Sequence, residues 1–243
     1  MAAELSTAHR RRLREIWRSA GWPCHDMLEV ELLDLGLLQR LRDADGRETL
    51  RVSDAGVHLL AATLQKNRAA RDAHEALVER VAQQMHRAGR IVWRGLSLRA
   101  RVGDGEAAAW AMAMPDVYSI RHTTVEAYLE PVVHEIKVSR ADLLSDLRHE
   151  AKRAAYLALS GECWYVIRLG IAQPQEIPPE FGVMLAGEAT LEVARAAPKR
   201  PMQMSFGLWM SLARAAPVDN APDHDAQAWL GDTGPQADDA PTP

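Results

Sequence analysis

The chain has 243 residues, 47% of them hydrophobic, and a formal net charge of −4. That length exceeds the usual single domain, and the composition suits a packed globular body, which sets aside the disordered and fibrous classes. No apolar run approaches the roughly 18 residues that cross a bilayer, and the charged N-terminus lacks the apolar stretch of a secretory signal, so the expectation is a cytoplasmic protein without a membrane partner. Cys24 and Cys163 lie far apart without metal-ligand spacing and read as reduced, packed thiols.

In chain order, His9 to Ala20 predicts a helix with Leu13, Ile16 and Trp17 on its apolar side and Arg10, Arg11, Arg12, Arg14 and Arg18 around the rest. Met27 to Leu38 predicts a second, with Leu28, Leu32, Leu33 and Leu35 as core positions and Gly36 as an interruption. Asp43-Ala44-Asp45-Gly46 is a turn signal, Leu50-Arg51-Val52 alternates like a short strand, and Ser53-Asp54-Ala55-Gly56 caps the helix that follows. This order resembles winged helix-turn-helix domains and implies a small module over residues 1–69. The resemblance makes the Asp43–Glu48 turn a wing, where the Arg-rich first helix and Arg40, Arg42, Arg47 and Arg51 would meet phosphates. Residues 1–69 hold 11 Lys or Arg against 10 acids, so the module carries no strong basic field, and a role in protein contact or dimerisation stays open.

A helical pattern runs from about Val57 to Gly89, with Lys66-Asn67-Arg68 as the expected junction and Leu77, Val78, Val81 and Met85 as the buried stripe of its second part. Strands are expected at Arg90–Leu96, from Ala107 through Ile120, at Val125–Leu129 and at Pro131–Val138. One helix is expected from Ser139 to about Ser160, stopped by Gly161. Cys163–Ile167 reads as a buried strand, Gly182–Ala186 and Leu191–Val193 as further strands, and Ser205–Arg214 as a last helix. The result is an α/β core of mixed strands with flanking helices over residues 70–215. From Pro217 on there are six acids and no Lys or Arg; removing those six charges from the net −4 leaves the body at +2. This Pro-, Gly-, Ala- and Asp-rich segment, 216–243, reads as a disordered acidic tail. Its Trp229-Leu230 pair is either a docking element for a protein partner or the chain's own basic face, or a stray apolar pair.

The chemistry concentrates between Met114 and Lys137. Pro115-Asp116 ends a run of small and apolar residues, and Pro131-Val132-Val133-His134-Glu135-Ile136-Lys137 follows a short polar interval later. Residues two apart on a strand share a face, so Glu135 and Lys137 project together while Ile136 points the other way. With Asp116 on a neighbouring strand, two carboxylates converge; they repel unless a hard divalent cation joins them through oxygen ligands. An adjacent lysine orients a water or stabilises charge at a phosphate. The bland alternative is a solvated edge strand with an ion pair. A second acid-x-Lys, Glu150-Ala151-Lys152, falls in a helical pattern where residues two apart do not meet. No zinc-like histidine spacing and no glycine-rich phosphate loop is present.

Pro115-Asp116 with Glu135-Ile136-Lys137 resembles the two half-motifs of the PD-(D/E)XK nuclease superfamily. The following helix carries Asp142, Asp146, Lys152 and Tyr156 in a Lys-x-Ser-x-x-Asp … Asp … Lys-x-x-x-Tyr pattern that resembles its MmcB-like, DNA-repair branch. Cys163–Ile167 and Pro178–Ala186 match that branch too, over residues from about 72 to 215. His134 departs from it, a polar imidazole where an apolar residue is usual, and reads as structural. The resemblance implies a restriction-endonuclease-like mixed sheet and a Mg2+- or Mn2+-dependent phosphodiesterase acting on DNA in repair or in defence against foreign DNA. It implies metal ligation by Asp116, Glu135 and the Ile136 carbonyl, with Lys137 placing the attacking water or neutralising charge. It adds an acid from the preceding helix, Glu79 with Glu75 as runner-up, and nucleic-acid contacts from Lys152, Tyr156 and Arg140. A homodimer is implied by the fold's habit in that superfamily. The rival is a non-catalytic DNA-binding or regulatory protein that uses a nuclease-like fold only to grip.

Overall fold

A computed structural model describes residues 5–103 and 108–218. The expectations for the acidic tail, including Trp229-Leu230, fall on residues outside these, apart from its first three positions. The chain divides into two compact units, Met1–Ala73 and His74–Pro243.

The first unit holds helices α1 (Thr7–Arg18) and α2 (Met27–Asp34), a hairpin of β1 (Leu38–Arg42) and β2 (Glu48–Val52), and the start of α3 (Asp54–Arg87). Ser6 and Asp26 cap α1 and α2 with their side chains, satisfying N–H groups the helices leave unpaired. Gly36 takes a positive φ of 67° after α2, the left-handed conformation that costs glycine nothing. Ser53 caps the next helix, accepting from the Gly56 N–H at 3.1 Å while its hydroxyl donates to the Gly36 carbonyl at 2.6 Å. Leu13, Ile16, Leu32, Leu37, Leu38, Leu50, Val52 and Leu60 form this unit's core. Trp17 and Leu35, expected inside, are exposed instead. Leu35 stands past the end of α2 as its C-cap, and Trp17 is the next-to-last residue of α1.

α3 runs unbroken through the junction expected at Lys66-Asn67-Arg68. No residue from Ala61 to Ala76 is buried, so packing does not hold the helix there. The segment lacks Gly and Pro and holds six Ala in sixteen residues, with two Arg, one Lys and one Gln, whose intrinsic preference suffices to continue a helix already nucleated at both ends.

The second unit is a mixed six-stranded sheet in the order β10-β9-β8-β7-β6-β3, flanked by helices. Its strands are β3 (Arg90–Arg94), β6 (Val117–Arg121), β7 (Val132–Lys137), β8 (Glu162–Arg168), β9 (Gly182–Ala186) and β10 (Leu191–Arg195). β7, β8 and β9 are parallel; β3–β6, β6–β7 and β9–β10 are antiparallel. Leu77, Val78, Val81 and Ala82 of α3 cover one face over Val117, Ile136 and Val166. α4 (Arg140–Leu147), α5 (Glu150–Leu159) and α6 (Phe206–Arg214) cover the other through Leu143, Ala155, Tyr156, Leu159 and Leu208. Among the described residues no helix is long and apolar enough to cross a membrane.

Three expectations in this unit are corrected. The strand expected from Ala107 through Ile120 is two strands: β5 (Ala109–Ala113) pairs with β4 (Leu98–Val102) in a separate two-stranded sheet, and Pro115, which has no N–H to give a ladder, parts it from β6. Residues 104–107 lie outside the described ones. Val125–Leu129 is not a strand but holds a 3-10 turn, Glu126–Tyr128. β6 already has β3 on one edge and β7 on the other, leaving no ladder for an extra strand there. The helix expected from Ser139 to Ser160 is broken at Arg148 and His149 into α4 and α5. His149 Nδ1 lies 2.7 Å from the Ser145 carbonyl, an interaction that competes with continuation of the helical ladder.

Candidate functional site

The site grows from a fork between two strands. The β6–β7 ladder pairs Ser119, Tyr118 and Val117 with Val132, Val133 and His134, and stops there. β7 continues for Glu135, Ile136 and Lys137 while the chain of β6 turns away at Pro115-Asp116. The same register, extended by one residue, sets Asp116 beside Glu135. Where the next ladder bond would form, the Asp116 carboxylate accepts from the Ile136 N–H at 2.7 Å. The N–H and C=O of one strand residue point to the same edge, so the Ile136 carbonyl is turned to the side where Asp116 stands.

Glu135 and Lys137 share a face, as the strand period requires. Lys137 Nζ donates to Glu135 Oε1 at 2.7 Å, and Lys152 Nζ donates to that same oxygen at 2.7 Å. Lys152 also donates to Asp146, whose other oxygen accepts from the Tyr165 hydroxyl at 2.6 Å. Lys137 lies 3.6 Å from Asp146 and 3.5 Å from Asp142. Residues six apart on a straight helix face different ways; the break between α4 and α5 is what lets Lys152 turn back onto Asp146.

Two cations, Lys137 buried and Lys152 partly exposed, thus stand among acids, with one oxygen left over. Glu135 Oε2 is buried and has no hydrogen-bond partner. Burial, and then the Asp116 charge, push the Glu135 carboxyl up despite both lysines. Burial works against the charge of Lys137, but Glu135 and Asp146 outweigh it and raise its pKa, so the ammonium keeps its proton. The same balance raises Lys152. The two differ in access: the Lys152 side chain is 34% exposed and that of Lys137 only 5%.

Other expected residues fall into several places. Tyr156 is buried; its hydroxyl donates to the Met114 carbonyl at 3.0 Å and its ring lies 5.3 Å from Lys152 Nζ, so it braces the approach to Asp116. Glu79 is not brought to Asp116 and Glu135. It and Glu75 share the Arg94 guanidinium, Glu79 on Nη1 and Glu75 on Nη2 at 2.9 Å. Both acids face Arg94 across the α3–β3 packing, and a guanidinium so placed captures them. Arg140 forks onto Glu176 at 2.8 and 3.1 Å and donates to the Ile171 carbonyl, tying α4 to the 3-10 turn Pro174–Glu176. Arg47 and Arg51 are exposed on the hairpin of the first unit.

Sequence reasoning missed His74. Its Nε2 lies 3.4 Å from Asp116 Oδ1 and its Nδ1 3.5 Å from Glu75. The bond to Asp116 holds the imidazole above its ordinary pKa against the effect of burial. No spacing in the sequence links position 74 to position 116. His74, Glu75, Val78, Arg94, Met114, Pro115 and Asp116 line an open cavity of about 370 Å3. His134, on the opposite face of β7 from Glu135, is buried and stacked on Trp164, and burial drives its imidazole down to about 3, so it is neutral.

Among the described residues, no group of three or more His, Cys, Asp or Glu side chains is arranged to hold a metal ion. The oxygen donors the fork does present are two carboxylates and a backbone carbonyl, all hard ligands. The unpartnered Glu135 Oε2 beside the Asp116 charge fits a divalent cation of the Mg2+ or Mn2+ kind.

No protein-family model matches the chain, and no curated protein does. Among solved structures, it is similar to a protein of unknown function from Silicibacter pomeroyi, with 20% identity and a TM-score of 0.38 over 62% of this chain and 84% of that one.

Proposed function

We propose that the protein is a metal-dependent nuclease of the PD-(D/E)XK kind that hydrolyses phosphodiester bonds in DNA. The observation that carries this reading is the buried, unpartnered Glu135 Oε2 at the mouth of a strand fork shared with Asp116. A carboxylate oxygen out of water with no donor costs on the order of a few kcal/mol, and a cation is the ligand that offsets it. Asp116, Glu135 and the Ile136 carbonyl would hold Mg2+ or Mn2+. When bound, such an ion supplies Lewis-acid polarisation of the phosphate and a water of lowered pKa.

The chain's own residues do the rest. Lys137, clamped by Glu135 and Asp146, stays protonated, so its role is to neutralise charge that develops on the phosphate rather than to take a proton. Lys152, the more open of the pair, meets a phosphate oxygen, and Tyr156 fixes Met114 so that Asp116 keeps its position. On this reading the second unit is restriction-endonuclease-like and the first is winged-helix-like, with Arg47 and Arg51 on the wing against phosphates. DNA repair or defence against foreign DNA is the setting, in the cytoplasm, with a homodimer as the working form.

The test is cutting of single-stranded, duplex and branched DNA in Mg2+ or Mn2+. Asp116→Asn, Glu135→Gln and Lys137→Met should each lower the rate at least about a hundredfold while DNA binding persists. DNA binding without cutting under every combination would overturn the proposal and assign the chain the non-catalytic role.

A further inference from the structure

The two-stranded sheet beside the fork has an outward face of unusual composition. Along β4, Leu98 and Ala100 are buried and Arg99 and Arg101 are exposed. Along β5, Ala113 is buried, while Trp110 is 65% and Met112 56% exposed; Met114, just beyond, is 62% exposed. The register places Arg99 opposite Met112 and Arg101 opposite Trp110. The Arg99 guanidinium lies 5.3 Å from the centre of the Trp110 ring, which steadies the indole without hiding it. One face of a short ribbon thus shows an indole, a thioether and two guanidiniums, with a second thioether, Met114, just beyond it. Three large apolar side chains more than half exposed in one row are a feature that binding surfaces carry.

The other face of the ribbon fixes where that surface leads. Leu98, Ala100 and Ala113 pack with Ala155, Tyr156 and Leu159 of α5, the helix that also carries Lys152. Met114 is anchored by the Tyr156 hydroxyl, and Met114, Pro115 and Asp116 together line the open cavity they share with His74, Glu75 and Arg94. The exposed row Trp110, Met112, Met114 therefore ends two residues before Asp116 in the chain.

We propose that the outward face of β4–β5 is a platform for single-stranded DNA that delivers a strand to Asp116 and Glu135. Aromatic rings bind bases through their π-faces, which only an unpaired strand makes available, and guanidiniums follow its phosphates. A duplex keeps its base faces stacked inside and gains nothing from Trp110. The destination of the strand rests on the nuclease reading above; the platform itself is a matter of binding alone.

The experiment measures fluorescence anisotropy of a labelled oligothymidylate of about 15 nucleotides against the full chain in EDTA, where no cutting occurs. Trp110→Ala should weaken binding about tenfold and Trp110→Phe far less. Arg99→Gln with Arg101→Gln should weaken it and reduce the dependence of log K on log salt by about 1.4. Affinity for a duplex of the same length should not change in the Trp110 variants. Unchanged oligothymidylate affinity in Trp110→Ala, or a parallel fall for duplex, would overturn the proposal. So would a loss of self-association in that variant without a loss of DNA, which would give the face to a second copy of the chain. Because the assay needs neither metal nor cutting, loss of single-strand binding in an inactive protein upholds the platform while the nuclease reading fails, and the reverse result separates them equally well.

Discussion

Asp146 shows how one side chain can organise a charged cluster from outside the β6–β7 fork. Burial alone would raise its carboxyl, but the Lys137 charge and the bonds from Lys152 and Tyr165 hold it below its ordinary value. A carboxyl lowered in the folded state contributes stability that is complete above its unfolded pKa, about 4, and is lost as pH falls through the folded value. Asp146→Asn keeps the shape and the Tyr165 contact while leaving Lys137 and Lys152 with one acid fewer. Urea unfolding should show a loss of about 2–3 kcal/mol at neutral pH, at the lower edge for a broken buried pair because Lys152 is partly solvated. The variant should also lose less additional stability than the parent below about pH 4. Equal stability and an equal acid slope would deny Asp146 this role. At this scale the sequence was readable where chemistry depends on one short element. The Glu135–Lys137 pair follows from strand alternation, and the Lys152–Tyr156 contact from helical spacing. Asp146 was visible only as an acid in a pattern, since its partners depend on a helix break. His74 gave no signal at all. Glu79 was misplaced because two acids on one helix face do not reveal that Arg94 stands opposite them.

At the scale of elements, what the sequence hid is mostly connection rather than pattern. β7, β8 and α6 lie close to where apolar runs and capping residues put them, because each is fixed by its own composition. The division of one expected strand into β5 and β6 turns on Pro115, and the division of one expected helix into α4 and α5 turns on His149. In both cases a local competitor defeats a run that periodicity would carry on. A third such device is Arg195, at the end of β10. Its guanidinium donates to the carbonyls of Pro174, Ile177, Pro178 and Phe181 at 2.8 to 3.1 Å, gathering the later part of the β8–β9 connection on one side chain. Lysine carries the charge but not the planar fork, so Arg195→Lys would orphan several of these acceptors. The expected cost is about 2 kcal/mol, read as a lower Tm together with faster amide exchange confined to residues 174–181. An unchanged Tm with unchanged exchange would mean that the turn holds itself.

For the whole molecule, the fork between β6 and β7 is a point of stored electrostatic conflict, and folding free energy should respond to whatever relieves it. Glu135 is driven towards its neutral form by burial and by Asp116, and its Oε2 has no donor. The unfolded chain has neither problem, because both carboxylates are hydrated and far apart. A divalent cation that meets both groups only in the folded state therefore stabilises by mass action, by about 2.7 kcal/mol at a hundred times its Kd. For a domain of this size that is a rise in Tm of roughly 5–10 °C. Mg2+, Mn2+ and Ca2+ should all produce the rise, since it requires oxygen ligation and no turnover. Asp116→Asn and Glu135→Gln should abolish it. Asp146→Asn should retain it, because Asp146 acts on the lysines and offers the cation nothing. A Tm that ignores all three metals, or a rise that survives in both fork variants, would place any metal elsewhere and leave the buried oxygen of Glu135 to be explained by the lysines alone.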